Sequence, residues 1–264
     1  ELAVLFDHMG PYHFARLEAA SRLGNLLALE CCSGTKDYAW NPVTAKGRFS
    51  RLTLFQVESY RQLTLRELRP RVHAVLDQER PACMAIPGWS YPAGLIALEW
   101  CRQKQVPAVV MSESQEKDEP RNFLAESLKK RVVSMFSAAL VGSPSHRNYL
   151  VKLGLSADRI LTGYDVVDND YFAGVAAGIR QDAAEARRTR QLPEHYFLTV
   201  CRFIRKKNLA RLLLAYSDYR RAAGAQAWKL VTLGDGEDRN GLEAKRDALG
   251  LRDDVIMPGF RQYH

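Results

Sequence analysis

Residues 197–216 read FLTVCRFIRKKNLARLLLAY, and this stretch decides the fold. Its apolar beginning predicts a β-strand over Tyr196–Cys201, and the spacing of its leucines predicts an α-helix over Leu209–Arg221. The loop between them carries four cations, namely Arg202, Arg205, Lys206 and Lys207. A strand followed by a short loop and a helix is the unit from which parallel α/β sheets are built.

The same alternation continues on both sides of this stretch. On its carboxyl side, we predict strands at Lys229–Leu233 and Val255–Met257, with a helix at Asn240–Leu249 between them. On its amino side, seven short apolar runs alternate with amphipathic stretches, from Leu2–Phe6 to Arg159–Thr162. Repeated strand–helix units of this kind favour parallel sheets covered by helices on both faces.

Residues 173–193 interrupt the alternation. They are rich in Ala, Arg and Gln, and they predict a linker that carries a polar helix. We therefore predict an α/β protein with two Rossmann-like, doubly wound parallel-sheet domains, at residues 1–172 and 194–264. Three strands and two helices make a thin core, so we expect the second domain to be incomplete and the natural protein to continue. In the first domain, Asp118 is expected to cap a long helix that ends near Phe136.

The composition limits the class of protein. Over 264 residues it is 47% hydrophobic and 26% charged, as in a globular protein, and it contains no apolar run long enough to cross a bilayer. The five cysteines include no C-x-x-C pair, so we expect free thiols in the reducing cytoplasm rather than a disulfide framework or a zinc site.

The charge indicates an anionic partner. The net charge of +8 suits a nucleoside diphosphate, an acidic membrane surface or nucleic acid. The interleaved aromatic and basic residues of single-strand binders are missing, which argues against nucleic acid. A basic run on the predicted long helix, at Lys129, Lys130 and Arg131, is either a solvated face or a peripheral contact with the inner face of an anionic membrane.

The loop after Tyr196–Cys201 is the strongest candidate for an anion site. Ligands of open α/β sheets bind at the carboxyl ends of strands, and a helix N-terminus favours anions. Arg202 and Lys207 would add fixed positive charge there; the alternative is a solvated basic loop. The glycine turn at 234–236 also follows a strand, although the sequence contains neither a G-x-G-x-x-G fingerprint nor a Walker A loop.

Three segments, taken in order, resemble the retaining glycosyltransferases of family 4, which have the GT-B fold. FLTVCRFIRKKNLARLLLAY is similar to that family's vGRl…KN…Ll.A segment, and LVTLGDGEDRNGLEAKRDALGLRDDVIMPGF to its LvivGdGp…le…a…lgl.d.V.f.Gf segment. RILTGYDVVDNDYF resembles the segment that closes the family's first domain. The resemblance covers residues 138–264 in motif and residues 1–137 in layout.

The resemblance implies donor-binding roles. Arg202 and Lys207 would contact the diphosphate of the donor, Gly234 and Gly236 would lie on the donor side, and Ile256 would pass the nucleotide base. Position 201 is Cys where the family usually has Gly. The family's paired glutamates, which hold the donor sugar, would fall beyond residue 264, so we expect this chain alone to have an incomplete donor site.

In the first domain the resemblance implies that the loop with Gly10 lies near the diphosphate and the acceptor. His8 and His13 flank this loop, and they either bind the acceptor or cap or pack against the helix. Where many relatives carry a His, this sequence has Glu113, which can accept a proton from an acceptor hydroxyl or hydrogen-bond to it. Alternatively, Glu113 caps the long helix or pairs with Arg121.

Two aromatic residues follow another strand. Trp89 and Tyr91 come after the apolar run Ala82–Ile86, and they either stack on an acceptor sugar or cover the core.

From the residues and the resemblance together, we expect a hexosyltransferase (EC 2.4) that moves a sugar from a UDP- or GDP-linked donor to a hydroxyl acceptor, in polysaccharide or glycolipid synthesis. No metal or other cofactor is implied, because Arg202, Lys207 and a helix terminus would neutralise the phosphates. One rival is a nucleotide-sugar epimerase of the same fold. Another is a non-catalytic binding or assembly protein.

Overall fold

The fold is seen in a computed structural model that describes residues 1–35, 43–120 and 122–262. The chain divides into two compact units, Glu1–Asn169 and Asp170–His264, here called unit 1 and unit 2. In the described ranges, every helix is too short or too polar to span a bilayer.

Unit 1 contains a parallel sheet of seven strands. Their bounds are β1 (Leu2–Phe6), β2 (Leu26–Cys32), β3 (Ser50–Phe55), β4 (Cys83–Pro87), β5 (Ala108–Ser112), β6 (Ala138–Val141) and β7 (Ile160–Thr162). The helices are α1 (Pro11–Ala20), α2 (Leu65–Glu79), α3 (Pro92–Lys104), α4 (Phe123–Val133) and α5 (Pro144–Lys152). The strand order is β3-β2-β1-β4-β5-β6-β7.

The chain reverses its direction of travel across the sheet at β1. Leu2 pairs with Leu26 of β2 on one side and with Cys83 of β4 on the other, so β2 and β3 lie to one side of β1 and the later strands to the other. This reversal is the topological switch point at which doubly wound sheets bind their ligands, outside the carboxyl ends of the strands.

Prolines place three helix N-termini at that edge of the sheet. Pro11, Pro92 and Pro144 stand at the start of α1, α3 and α5, which follow β1, β4 and β6. A proline suits this position because its missing N–H has no partner in the first turn. Each N-terminus therefore adds partial positive charge to the edge where β1, β4 and β6 end.

The predicted helix from Asp118 to Phe136 is wrong at its start. The helix α4 begins at Phe123, and Asn122 caps it by accepting hydrogen bonds from the amides of Leu124 (2.9 Å) and Ala125 (3.4 Å). The Asp118 carboxylate instead accepts from the Gln115 amide at 2.9 Å. Pro120 explains the shift, because a proline disfavours helical conformation in the residue before it.

Unit 2 begins with two helices, α6 (Asn169–Gln181) and α7 (Ala183–Thr189), where the sequence predicted one polar helix. The prediction was wrong about α6, which exposes an apolar stripe that includes Tyr171, Val175 and Ile179. These residues recur at the four-residue spacing that aligns side chains on one helix face, a pattern that the alanine-rich composition had obscured.

The rest of unit 2 is a parallel sheet in the order β10-β9-β8. Its elements are β8 (Tyr196–Val200), α8 (Leu209–Ala223), β9 (Lys229–Leu233), α9 (Arg239–Ala248) and β10 (Val255–Gly259). A small core joins the two helices to the sheet, and Phe203 at its centre is fully buried. The structure thus confirms the α/β class and the parallel strands of both predicted sheets.

Candidate functional site

In unit 2, the loops that follow β8 and β9 are held together at their backbones. The Phe203 amide donates to the Asp235 carbonyl oxygen at 2.8 Å, and the Cys201 amide to the Leu233 carbonyl oxygen at 3.1 Å. Gly234 has φ +140°, and a Cβ built on it would lie 1.9 Å from the Cys201 carbonyl oxygen. At Gly236, with φ +157°, a Cβ would lie 2.5 Å from the Phe203 carbonyl oxygen. Only glycine allows this approach at both positions.

Arg239 reinforces these two loops, and sequence analysis missed it. Its guanidinium lies 6.0 Å from the centre of the Phe203 ring and donates to the Met257 carbonyl oxygen at 3.0 Å. It also forms ion pairs with Asp235 (3.4 Å) and Glu243 (2.9 Å). Since β8, β9 and β10 all end here, Arg239 links three strand ends. Its ion-pair partners lie four residues away on either side, but Phe203 and Met257 come from distant parts of the chain, so no local motif marks its role.

The predicted anion-binding residues lie on this fixed support. Arg202 lies two residues after the end of β8 and is half-buried, whereas Lys207 is exposed at the end of a 3-10 turn, Arg205–Lys207. Asn208 has φ +54° and starts α8 immediately afterwards, as the sequence predicted. The chain therefore presents cations and the N-terminus of α8 at one strand end, which is a suitable place for a phosphate.

Ile256 lies on β10, beside β9. It pairs with Val231, and its carbonyl oxygen accepts from the Thr232 hydroxyl at 3.4 Å. Its side chain is partly exposed, so this segment of β10 offers both backbone and apolar surface near the loops of β8 and β9.

In unit 1, the loop after β1 is arranged around His13. Its Nδ1 accepts a hydrogen bond from the Gly10 amide at 3.0 Å, and its ring packs on Phe6 with centroids 4.6 Å apart. Burial, followed by the charge of Arg16 and by His8, lowers the pKa of His13 to about 4. His13 is therefore neutral near pH 7, and because Nδ1 is the acceptor, we assign its proton to Nε2.

Glu30 anchors the same loop from β2. It is 1% exposed, and its carboxylate accepts from the amide of Met9 (2.8 Å), the guanidinium of Arg51 (3.0 Å) and the hydroxyl of Thr53 (3.0 Å). His8 packs beside it, with Nδ1 3.3 Å from the Cys32 carbonyl oxygen. His8 is 8% exposed, which weighs against a contact with an acceptor.

The sequence contained a signal for Glu30 that we did not use. It is the one charged residue in the strand LLALECC, all of which is buried. A buried carboxylate requires partners, so such a position indicates an internal network.

Glu113 lies at a second group of strand ends in unit 1. Glu113 is exposed as a residue, but the partial loss of water around its carboxyl group and the nearby carboxylate of Asp165 raise its pKa, while Arg16 and His146 lower it. Asp165 follows β7 and accepts from the guanidinium of Arg16 at 2.9 Å. Arg16 also donates to the Val166 carbonyl oxygen at 2.7 Å, so α1 is tied to the end of β7. Arg121, the proposed alternative partner of Glu113, lies outside the described residues.

The end of β6 joins this group through Gly142. A Cβ built there would lie 3.3 Å from both the Asp165 Cβ and the His146 Nδ1. His146 stands in the first turn of α5, and its buried Nδ1 has no hydrogen-bond partner among the described residues. Glu113, Asp165 and His146 thus form a set of titratable groups where β5, β6 and β7 end.

Trp89 and Tyr91 are packed inside unit 1. Trp89 is 9% exposed and meets the Tyr149 ring edge-on at 6.0 Å. Tyr91 meets the Tyr60 ring at 5.0 Å and donates from its hydroxyl to Asp7 Oδ1 at 3.3 Å. Burial, more than any other factor, raises the pKa of Tyr91. These contacts favour the core-covering role over stacking on a sugar.

Comparison with known proteins places these features in a class. Residues 181–264 match the family described as Glycosyl transferases group 1, and this segment includes β8, β9, β10 and their loops. No curated protein sequence matches the chain.

Solved structures extend the likeness to both units. The chain is similar to Alr3699/HepE of Anabaena in complex with UDP, with 14% identity and a TM-score of 0.64 over 99% of this chain and 69% of that one. It is also similar to a UDP-GlcNAc 2-epimerase from Neisseria meningitidis bound to UDP-GlcNAc (11% identity, TM-score 0.61, 99% and 72% covered). A third similar structure is the lipopolysaccharide outer core galactosyltransferase WaaB, with 16% identity and a TM-score of 0.55 over 99% of this chain and 68% of that one.

The chain is therefore an α/β protein of the GT-B fold. Its similarity to Glycosyl transferases group 1 extends over residues 181–264.

Proposed function

We propose that this protein is a retaining glycosyltransferase of family 4, which moves a hexosyl group from a UDP- or GDP-linked donor to a hydroxyl acceptor in polysaccharide or glycolipid synthesis. The observation that carries the proposal is the cationic loop of Arg202 and Lys207, fixed by the contacts at Gly234 and Gly236 ahead of α8. This loop lies in the segment that matches Glycosyl transferases group 1. The solved complexes of similar proteins with UDP and UDP-GlcNAc support a nucleotide-sugar donor.

The donor side of the proposed reaction belongs to unit 2. When the bond between the anomeric carbon and the phosphate oxygen breaks, its electron pair moves to that oxygen and negative charge grows on the diphosphate. Arg202, Lys207 and the N-terminus of α8 stabilise this charge more in the transition state than in the ground state. Since they supply the positive charge that a cation would otherwise provide, we propose that the transfer needs no resident metal.

The acceptor side belongs to unit 1. Glu113 accepts the proton of the attacking hydroxyl in this proposal, and its raised pKa makes it a stronger base than an ordinary carboxylate. His13, neutral and with its proton on Nε2, donates a hydrogen bond to a sugar oxygen. Gly10 and Glu30 fix its position through the loop after β1.

A nucleotide-sugar epimerase is the second candidate. Such an enzyme must remove a proton from a sugar carbon and return one, which requires more than one acid or base. The group of Glu113, Asp165 and His146 provides several titratable side chains at neighbouring strand ends, and similar solved structures include 2-epimerases.

We also propose that α4 makes a peripheral contact with an anionic bilayer. Phe123, Leu124 and Leu128 are 86%, 75% and 63% exposed, and Lys130 and Arg131 are exposed on the same half of the helix, opposite buried Val133. Lys129 does not belong to this surface, because it pairs with Glu126 at 2.9 Å. Apolar side chains flanked by cations are typical of helices that lie at an anionic lipid surface.

The central test is product analysis with labelled nucleotide sugars, with and without hydroxyl acceptors, in solvent D₂O. A transferase gives glycosylated acceptor and free nucleoside diphosphate, without deuterium in the sugar. Epimerised donor that carries solvent deuterium and forms without acceptor would instead support the second candidate.

The assignment of Arg202 to the donor site is tested separately by measuring the affinity for UDP by calorimetry. Arg202→Ala should weaken it about 10- to 100-fold, because a hydrogen bond to a charged group contributes about 1.5–3 kcal/mol. Arg221→Ala is the matched control: it removes the same charge from the last turn of α8, where Arg221 pairs with Asp218. Equal affinities of the two variants would contradict the assignment.

A further inference from the structure

The ends of β1 and β2 in unit 1 bring together three side chains that the proposed reaction does not use. Asp7 follows β1, and Cys31 and Cys32 are the last two residues of β2. One oxygen of Asp7 and the two Sγ atoms lie within 4.8 Å of one another. Both cysteines are 0% exposed, whereas Asp7 is half-buried and connects the cluster with the surface.

The backbone holds this cluster in place. The Cys32 amide donates to the Asp7 carbonyl oxygen at 2.8 Å, which keeps the end of β2 against the end of β1. The Cys32 carbonyl oxygen is in turn 3.3 Å from His8 Nδ1. The side chains also converge, because the two Sγ atoms and one Asp7 oxygen lie within 4.8 Å of one another. Adjacent strand residues usually point to opposite faces, so this convergence is a property of the strand end.

A second layer orients the cluster. The Tyr91 hydroxyl donates to Asp7 Oδ1 at 3.3 Å. Asp7 and Glu30, the residue before Cys31 in β2, place two carboxylates around the thiols. Ligands held by an outer hydrogen bond in an acidic environment are typical of metal sites.

We propose that Asp7, Cys31 and Cys32 bind one thiophilic divalent cation of the zinc class. Such an ion takes sulfur ligands at about 2.3 Å and oxygen at about 2.0–2.2 Å in tetrahedral geometry, so ligand atoms that begin within 4.8 Å need only a small contraction. Binding releases the two thiol protons to solvent, and a water on the Asp7 side completes the coordination.

This site takes no direct part in the chemistry of sugar transfer. Its expected effect is to fix the loop that runs from Asp7 to Gly10, whose amide holds His13. The sequence predicted free thiols because no C-x-x-C pair was present, but here the ligands come from two strands and meet only in the folded sheet.

The test is a titration of the reduced, metal-free full chain with Cd²⁺, followed by the thiolate-to-metal charge-transfer band in the ultraviolet. The wild type should bind one ion per chain. A variant with Cys31→Ser and Cys32→Ser should lose at least about 100-fold in affinity, beyond the range seen for changes to outer-shell partners. The matched control carries Cys83→Ser and Cys101→Ser, which removes as many thiols from β4 and α3, and it should bind as the wild type does.

Two milder variants keep the test decisive if the serine variant fails to fold. Asp7→Asn preserves the shape of the side chain and should weaken Cd²⁺ binding at least about 10-fold, and Tyr91→Phe should weaken it by a similar factor through the lost outer-shell bond. No charge-transfer band in the wild type would overturn the site. Loss of the band in the Cys83/Cys101 control would also overturn it, as would unchanged affinity in Asp7→Asn.

Discussion

Replacing Gly234 with alanine would strain the backbone contact that holds the donor-side loops of unit 2. An alanine at φ +140° costs about 1–3 kcal/mol in backbone conformation. Its Cβ would lie 1.9 Å from the Cys201 carbonyl oxygen, so the loops after β8 and β9 would have to separate by about 1 Å. That movement strains the hydrogen bond from the Cys201 amide to the Leu233 carbonyl oxygen, worth about 0.5–1.5 kcal/mol. We expect Gly234→Ala to lower the free energy of unfolding of unit 2 by about 2–4 kcal/mol.

Urea unfolding followed by the fluorescence of Trp228, in a protein whose other three tryptophans are replaced by phenylalanine, measures this change. Trp228 lies in unit 2 and stacks on His195 with ring centroids 5.2 Å apart, so its emission reports the unfolding of that unit. UDP affinity should fall in the same variant, because Arg202 and Lys207 stand on the displaced loop.

The matched control for this experiment is Gly241→Ala. Gly241 lies in α9, and a Cβ there meets no described atom within 4 Å. Alanine in a helix interior should leave unit 2 unchanged or stabilise it by up to about 1 kcal/mol. If Gly234→Ala matched the wild type in both its urea midpoint and its UDP affinity, the role we give to the loop contacts would be refuted.

Three further predictions concern unit 1. Since the pKa of His13 is about 4 in the folded state and about 6.5 in an unfolded chain, the unfolded state binds more protons between these values. The free energy of unfolding of unit 1 should therefore fall by about 3 kcal/mol as the pH falls through this window. Urea unfolding of His13→Gln should not show this pH-dependent loss. If the free energy of unfolding changed equally with pH in both proteins, the assignment would be contradicted. Glu113→Gln should reduce transfer turnover by about 10²- to 10⁴-fold, measured with the identified donor, without changing UDP affinity; an unchanged turnover would remove Glu113 from the chemistry. Phe123→Ser with Leu124→Ser should weaken sedimentation with phosphatidylglycerol vesicles at least about 10-fold, because each exposed side chain contributes about 1.5–3 kcal/mol when buried in lipid. Leu161→Ser, at an exposed position of β7, is the matched control, and equal binding of wild type to neutral and anionic vesicles would count against the α4 surface.

Much of the fold was predictable because buried parallel strands have a clear sequence pattern. The strands β1 and β9 have the bounds that the sequence predicted. Strands buried on both faces read as continuous apolar runs, and the prolines and glycines beside them fix where each element ends. Where two capping signals compete, as at Asp118 and Asn122, the sequence alone led to the wrong one.

The networks of the candidate site were harder to predict, since their members meet only through strand register. Glu30 stands opposite Phe6 of β1 and Thr53 of β3, and it therefore reaches the Met9 amide after β1 and the Thr53 hydroxyl. Arg239 and the cluster of Asp7 with two cysteines likewise depend on neighbouring strand ends. A sequence pattern identifies such residues as unusual but does not identify their partners.

The family match and the structural similarity cover different parts of the chain, and the chemistry proposed for each unit accounts for this difference. The family match is confined to residues 181–264, while structural similarity to proteins of the GT-B fold extends over 99% of the chain. If unit 2 holds the donor, as we propose, its target is always a nucleoside diphosphate, so it needs cations at one strand end and a backbone approach that Gly234 and Gly236 alone permit. In the same proposal, unit 1 presents a proton acceptor to the acceptor hydroxyl. A sheet edge with several strand ends can do this with many residue types, so such a unit can have this fold without a fixed motif. For this reason the changes proposed in unit 2 should alter donor affinity, whereas the change at Glu113 should alter turnover.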